Sequence, residues 1–278
     1  MLIGPWISQS QAATTLVYEV DRAALGKTFP ADAKRATHIK SLVRSINRRL
    51  GSAGNAKLLN NGQIQVKVNG KTNADELASI KLRISVQGAL EFRLLASLAH
   101  PEDQFIIEQA RSLPPDKKEV VVGGNVVAKW ATYSEKEFGL VDKDDKRVVK
   151  RLAGKEPEAL VLVNALHIGG EYLASAKKGV DEMGNPALDF TVSERGAELF
   201  RKLTATNQPD PASKVFRHLG ILLDKRLLYA PAIRAELSNR GQISGQAVAE
   251  HEVDALLAIF DEGALPYPIR EVIRRPVG

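Results

Sequence analysis

The sequence predicts an α+β fold on three observations. Short β-branched runs alternate apolar and polar residues, as in Thr14–Val20 (TTLVYEV), which is the period of a half-buried strand. Between such runs lie stripes of helical period, the clearest at Ile39, Leu42, Val43, Ile46 and Leu50. Two of the short runs flank Asn60-Asn61-Gly62-Gln63, and Asn-Gly is a strong hairpin signal because both residues accept positive φ.

Each element follows from the same logic. After the strand at 14–20, a loop with Gly26 and Pro30 leads into a helix over 32–50, which Gly51 is placed to stop. Lys57–Leu59 and Ile64–Val68 are the two hairpin strands. A second helix starts near Asn73, with Leu77, Ile80 and Ile84 on one face and Gly88 at its end. Residues 89–96, ALEFRLLA, return as a strand. The resulting order, β-α-β-β-α-β, is the split βαβ plan of ferredoxin-like folds, a plan that hosts many functions. The pattern weakens after His100-Pro101. Val120–Trp130 predicts a hairpin turning at Gly124-Asn125, and Leu160–Val163 a buried strand. Order resumes at Leu188: LDFTV is a strand, and Ser193 is an N-cap for a helix with Ala197, Phe200 and Leu203 on one face. Val253, Leu256, Leu257 and Phe260 stripe a last helix ending at Gly263, followed by a strand in YPIREVIRR.

Composition bounds the chemistry. The 278 residues suit one large domain or two modest ones, and 44% hydrophobic with 26% charged residues is a globular balance. The net charge is +6, but the charges are interspersed. The basic runs at Arg147–Arg151 and Arg270–Arg275 carry no interleaved aromatics, so they read as solvated surface and not as a nucleic-acid site. The lack of cysteine removes disulfides, thiolate nucleophiles and Cys-based zinc sites. No run approaches the roughly 18 apolar residues of a membrane span, and MLIGPWI at the start lacks the basic flank of a signal peptide.

The candidate reactive groups resolve into structural ones. Asp224 sits in LGILLDKRLLYAPA (219–232), where Asp-Lys-Arg separates two apolar runs. That spacing predicts a hairpin with Asp224 at its tip, in water, and not a general acid. His38, His100, His167, His218 and His251 show no metal-ligand spacing. Asp142, Asp144 and Asp145 lack the glycine and glutamate of a calcium loop, and no nucleotide or hydrolase motif is present. The expectation is no enzyme, no cofactor and no metal.

Four runs carry a family resemblance: LDFTVSERGAELFRKLTATN (188–207), ILLDKRLLYAPAI (221–233), GQISG (241–245) and EGALP (262–266). With Thr14–Val20, Ile46-Asn47, Gly51 and Leu90-Glu91-Phe92-Arg93 upstream, the chain resembles SecD, a membrane subunit associated with the Sec protein-export channel. The Asp-Leu-x-Gly-Gly element that precedes the first strand in that family is absent, since residues 8–13 read SQSQAA. The expectation is that residues 1–13 are altered or foreign, and that the chain is the first periplasmic domain without its flanking membrane helices.

The resemblance implies a ferredoxin-like base over residues 14–97 and an inserted α+β head over 98–246, enlarged at about 101–170. Residues 247–278 would return to the base. Leu98, His100, Pro101, Gln246 and Glu250 become candidate hinge residues, because two chain crossings let a head swing with few contacts broken. The family's role implies binding of unfolded preprotein by the head, coupling to the proton gradient in the full-length protein, and partnership with a SecF-like subunit and the SecYEG channel. Its place is the periplasmic side of the bacterial inner membrane. Such a head needs exposed apolar surface or an open strand edge. Leu222, Leu228, Tyr229 and Pro231 are the candidates for it, Pro231 because it would stop strand pairing. The bland alternative is that the leucines of this hairpin pack the core. The rival from another class is a soluble hydrolase or transferase with a site in 101–187, for which Glu135, Glu137 and Asp142 would supply carboxylates among Lys136, Lys143 and Lys146. Nucleic-acid binding on the sheet would need aromatics where Val17, Ile64, Val66 and Val68 stand.

Overall fold

A computed structural model of the chain describes residues 14–25, 32–70, 72–135, 139–142, 145–163, 166, 168–209, 215–244 and 250–272. It is a mixed α+β structure in two compact units, one drawn from Met1–Gln87 and Leu265–Gly278, the other from Gly88–Ala264.

The first unit begins with β1 (Thr15–Val20), the short α1 (Arg22–Leu25) and α2 (Asp32–Leu50). Ile39, Leu42, Ile46 and Leu50 of α2 are buried, as the stripe requires. Gly51, at φ 53°, ends the helix in the left-handed region. β2 (Gly54–Leu58) and β3 (Ile64–Val68) form the hairpin. Only Gly62 of its turn has positive φ, so Asn61 does not use the freedom expected of it; instead its side chain accepts from the Gln63 amide. Asn47 of α2 binds Ala56 of β2 twice, accepting from its N–H at 2.7 Å and donating to its C=O at 2.9 Å.

α3 (Ala74–Ser85) starts at Asn73, whose side chain accepts from the Glu76 amide while Glu76 accepts from the Asn73 amide. This capping box satisfies two otherwise orphaned donors. At the other end Arg49, 1% exposed, donates to the carbonyls of Arg83 (3.0 Å), Val86 (2.5 Å) and Gln87 (2.9 Å). A buried guanidinium is tolerated there because it faces the negative end of a helix and both of its terminal nitrogens donate to main-chain carbonyls. The fourth strand comes from the far end of the chain: β15 (Ile269–Glu271) pairs with β1, and the sheet order is β15-β1-β3-β2, antiparallel throughout.

The strand at residues 89–96, expected to complete this sheet, lies in the second unit. There β4 (Leu90–Leu94) pairs antiparallel with β12 (Leu219–Leu223) over five residues. The helix at 250–262, α6 (Glu250–Glu262), also belongs to the second unit. The units therefore divide at Gln87/Gly88 and Ala264/Leu265, not near 97/98 and 246/247. Main-chain pairing with a strand more than 120 residues away places Leu90–Leu94 there, and packing on the strands at 173–180 and 186–192 places the helix at 250–262.

The remaining elements of the second unit are α4 (Gln104–Ser112), β5 (Glu119–Val122), β6 (Asn125–Thr132), β7 (Lys150–Ala153), β8 (Glu156–Leu162) and β9 (Ile168–Gly169). After them come β10 (Leu173–Val180), β11 (Pro186–Val192), α5 (Glu194–Ala205), β13 (Arg226–Tyr229) and β14 (Arg240–Ser244). One sheet runs β7-β8-β6-β13-β12-β4-β9, with β5 also paired to β6; the other runs β10-β11-β14. The β5–β6 turn falls on Gly123-Gly124, both at positive φ, one residue before the expected position. Ser193 caps α5 by accepting from Gly196. Phe200 of α5 meets Phe92 edge-on, with centroids 5.1 Å apart, and Phe190 lies 5.4 Å from Phe92. α6 packs on β10 and β11, with Lys178 bridging to Asp254 at 2.5 Å.

Candidate functional site

The β12–β13 hairpin turns on two residues, Asp224 and Lys225, at φ 51° and 69°. This is tighter than the three-residue connection expected and matches the twist of the flanking strands. Asp224 tolerates the left-handed region well; Lys225 does so at a cost of about 1–2 kcal/mol. Asp224 is half-buried and not free in water. Its Oδ1 accepts from the amides of Gly88 (2.9 Å) and Ala89 (2.8 Å), and its own amide donates to the Ala89 carbonyl at 2.9 Å. The carboxylate thus pins the first residues of the second unit. A turn residue is what the sequence suggested; the main-chain partner 136 residues away was not visible in it.

Leu222 is 4% exposed and Leu227 fully buried, packed with Leu95, Ala131, Tyr133, Val148, Ala159 and Val161. The bland reading of the leucines holds for Leu222, which is removed from any accessible surface. Leu228 and Tyr229 are half-buried and Pro231 is exposed. Pro231 does not open an edge on the hairpin side. Its carbonyl accepts from the Leu219 amide at 2.9 Å, His218 bridges to Ala232, and the Ile233 amide donates to Arg217. Proline lacks only the donor, so pairing through its carbonyl continues.

The candidate hinge residues are scattered. Leu98, His100, Pro101 and Glu250 all lie inside the second unit, and Gln246 falls outside the described residues. Leu98–Pro101 is part of an anchored segment. Asp103, 2% exposed, accepts from the Ser97 amide at 2.9 Å and takes both terminal nitrogens of Arg217, itself 4% exposed. Arg217 also donates to Glu102 at 2.8 Å. His100 stands 3.6 Å from Glu102. Burial, then the Arg217 charge, holds its imidazole below the usual range. His218 is depressed likewise, by burial and then by Arg147. This network was missed because none of its members shares a motif; Asp103 and Arg217 are 114 residues apart.

The other candidates scatter too. His38 bonds the Tyr267 hydroxyl, His167 and Glu137 fall outside the described residues, and Glu135 and Asp142 are exposed. Among the described residues no group of three His, Asp or Glu side chains is placed to hold a metal, and no helix is long and apolar enough to cross a membrane.

Residues 146–267 match the family model described as the SecDF P1 head subdomain. The protein translocase subunit SecD of Aquifex aeolicus is 34% identical over 134 residues, covering 48% of this chain and 25% of that protein. SecD of Elusimicrobium minutum is 24% identical over 283 residues, covering 96% of this chain and 52% of that protein. The chain therefore spans from about a quarter to about half the length of these relatives. A solved structure described as a membrane component SecDF that enhances protein export is 21% identical, with a TM-score of 0.52, covering 95% of this chain and all of that one. SecDF in its super-membrane-facing form gives a TM-score of 0.54 over 93% of this chain and 29% of that one. These structures share the fold. The family-model match over 146–267 and the relatives, which between them span nearly the whole chain, make this chain similar to the SecD family of protein translocase subunits.

Proposed function

We propose that this chain is the periplasmic domain of a SecD-type subunit, whose second unit holds emerging preprotein and assists its export by moving relative to the first. The observation that carries the reading is the match of residues 146–267 to the P1 head, in a unit entered and left by the chain at only two points. In this reading the first unit is the ferredoxin-like base. Its β15-β1-β3-β2 order suits that plan, with β15 as the fourth strand.

The hinge then lies at Gln87–Gly88 and Ala264–Leu265. Gly88 has φ 92° and Gly263 φ 73°, so each crossing is next to a residue with wide backbone freedom. The segments either side are fixed. Arg49 holds the carbonyls of Val86 and Gln87, and Asp224 holds the amides of Gly88 and Ala89. Rotation is thereby concentrated in a few bonds, as hinge motion requires. Proton-gradient coupling, a SecF-like subunit and the SecYEG channel enter through the full-length protein.

Tyr229 and Pro231, beside the half-buried Leu228, supply accessible apolar surface for weak, sequence-tolerant contact with an unfolded chain. Photocrosslinkers at Tyr229 and Pro231 of the full-length protein are expected to capture a translocating client more often than one at Lys67, exposed on β3 of the first unit. Equal capture at all three positions would overturn the head-specific contact.

A further inference from the structure

We propose that a cleft beside β7 binds a short extended polypeptide segment that alternates apolar and acidic side chains. The cleft has a volume of about 690 Å³. Its walls are Leu113, Pro115, Trp130, Val141 and Leu152. Among the described residues, the charged ones that line it are all cations: Arg111, Lys150 and Arg151.

The cations differ in availability. Arg151 is committed: it bonds the fully buried Glu158 at 2.8 Å, donates to the Lys117 carbonyl, and stacks over the Trp130 ring at 4.2 Å. Glu158 also pairs with Lys118. Lys150 bridges to Asp145 at 3.5 Å. Together these bonds fix an aromatic–guanidinium platform before any ligand arrives, which lowers the ordering cost of binding. Arg111 is exposed in the last turn of α4 and has no ion pair among the described residues. An incoming carboxylate would therefore meet Arg111.

The apolar walls and the strand edge identify the rest of the ligand. Leu152 is 53% exposed and belongs to β7, which among the described residues pairs only with β8. An open edge carrying a bare leucine is a template for strand addition. A peptide laid along Lys150–Ala153 would pair with the free side of β7 and place alternate side chains between Leu113 and Leu152. A fatty acid would satisfy the apolar walls and Arg111 but leave the β7 main chain unpaired, so a polypeptide fits better. Arg111, Leu113, Trp130 and Val141 precede residues 146–267, the part that matches the P1 head. Lys150, Arg151 and Leu152 lie inside that part, and the cleft is lined by none of the residues of the client contact proposed at Tyr229, so the two contacts are tested separately.

The test uses the whole chain carrying Trp6→Phe, so that Trp130 is the only emitting tryptophan of the two in the sequence. It is titrated with a soluble peptide of alternating leucine and glutamate. A saturable change in Trp130 emission is expected, with Kd raised about tenfold or more by Arg111→Glu and by Leu152→Glu. The exposed control Lys67→Glu should leave Kd unchanged. Amide exchange in Lys150–Ala153 should slow on binding. Absence of saturable binding, an equal response to a control peptide of alternating leucine and lysine, or an unchanged Kd in Arg111→Glu would overturn the proposal. So would competition by a medium-chain fatty acid without protection of the β7 amides, which would make the cleft a lipid site.

Discussion

In the first unit the buried guanidinium of Arg49 is held by three main-chain carbonyls at the end of α3. In the second unit buried charges meet other side chains: Asp103 takes Arg217, and Glu158 takes Lys118 and Arg151. The first arrangement joins neighbours within a simple sheet-and-helix layer. In the second, the Asp103–Arg217 pair ties together segments 114 residues apart. A buried carbonyl cap depends on local helix geometry, whereas a buried ion pair depends on two distant segments arriving together, and losing one partner strands the other.

The comparison can be broken first at its most expensive point. Asp103→Ala leaves Arg217 buried with only Glu102 as partner, and a loss of about 3–5 kcal/mol is expected in denaturant unfolding of the second unit. A loss below about 1 kcal/mol would mean that the ionic network does not hold this unit together. Arg49→Met should cost less, about 2–3 kcal/mol, because carbonyls left unpaired are neutral. That loss should appear in the first unit, read by amide exchange at Ile80 and Ile84. If both units lose protection together, the two do not unfold separately.

Smaller effects sharpen the same contrast. Asp224→Ala removes two hydrogen bonds to the main chain and places a poorer residue at positive φ, for an expected loss of about 1–2 kcal/mol. Faster exchange should be confined to Gly88 and Ala89. The smallest effect is in pH. His100 faces Arg217, Glu102 and Asp103, and His218 faces Arg147, Asp145 and His100; both rings are held below the usual imidazole range. Below about pH 6.5 the unfolded chain takes up protons first. The stability from neutral rings is therefore complete above that pH and lost as pH falls through the folded-state values. Melting temperature should drop between about pH 7.5 and pH 5.5, and His218→Gln should shrink the drop.

Local pattern carried far into this protein. The stripe at Ile39–Leu50, the cap at Asn73, the stop at Gly51, the strand and helix around Ser193, and the turn at Asp224 are all written in neighbouring residues. Each rests on side-chain periodicity, on a capping oxygen or on a tolerance for positive φ, which act within a few positions of the chain. The SecD likeness was legible for a related reason, since its motifs are contiguous runs.

What only the tertiary structure decided is which distant segments meet. Leu90–Leu94 and Ile269–Glu271 both read as strands, and nothing local says which completes the first sheet. Pairing with Leu219–Leu223 claims the former, and the free side of β1 takes the latter. The unit boundaries, the burial of Leu222, the Asp103–Arg217 pair and the grip of Asp224 on Gly88 follow from that choice. A strand's pattern specifies how it is buried, but its partner is chosen by competition among all available edges, and that competition is settled only when the whole chain packs.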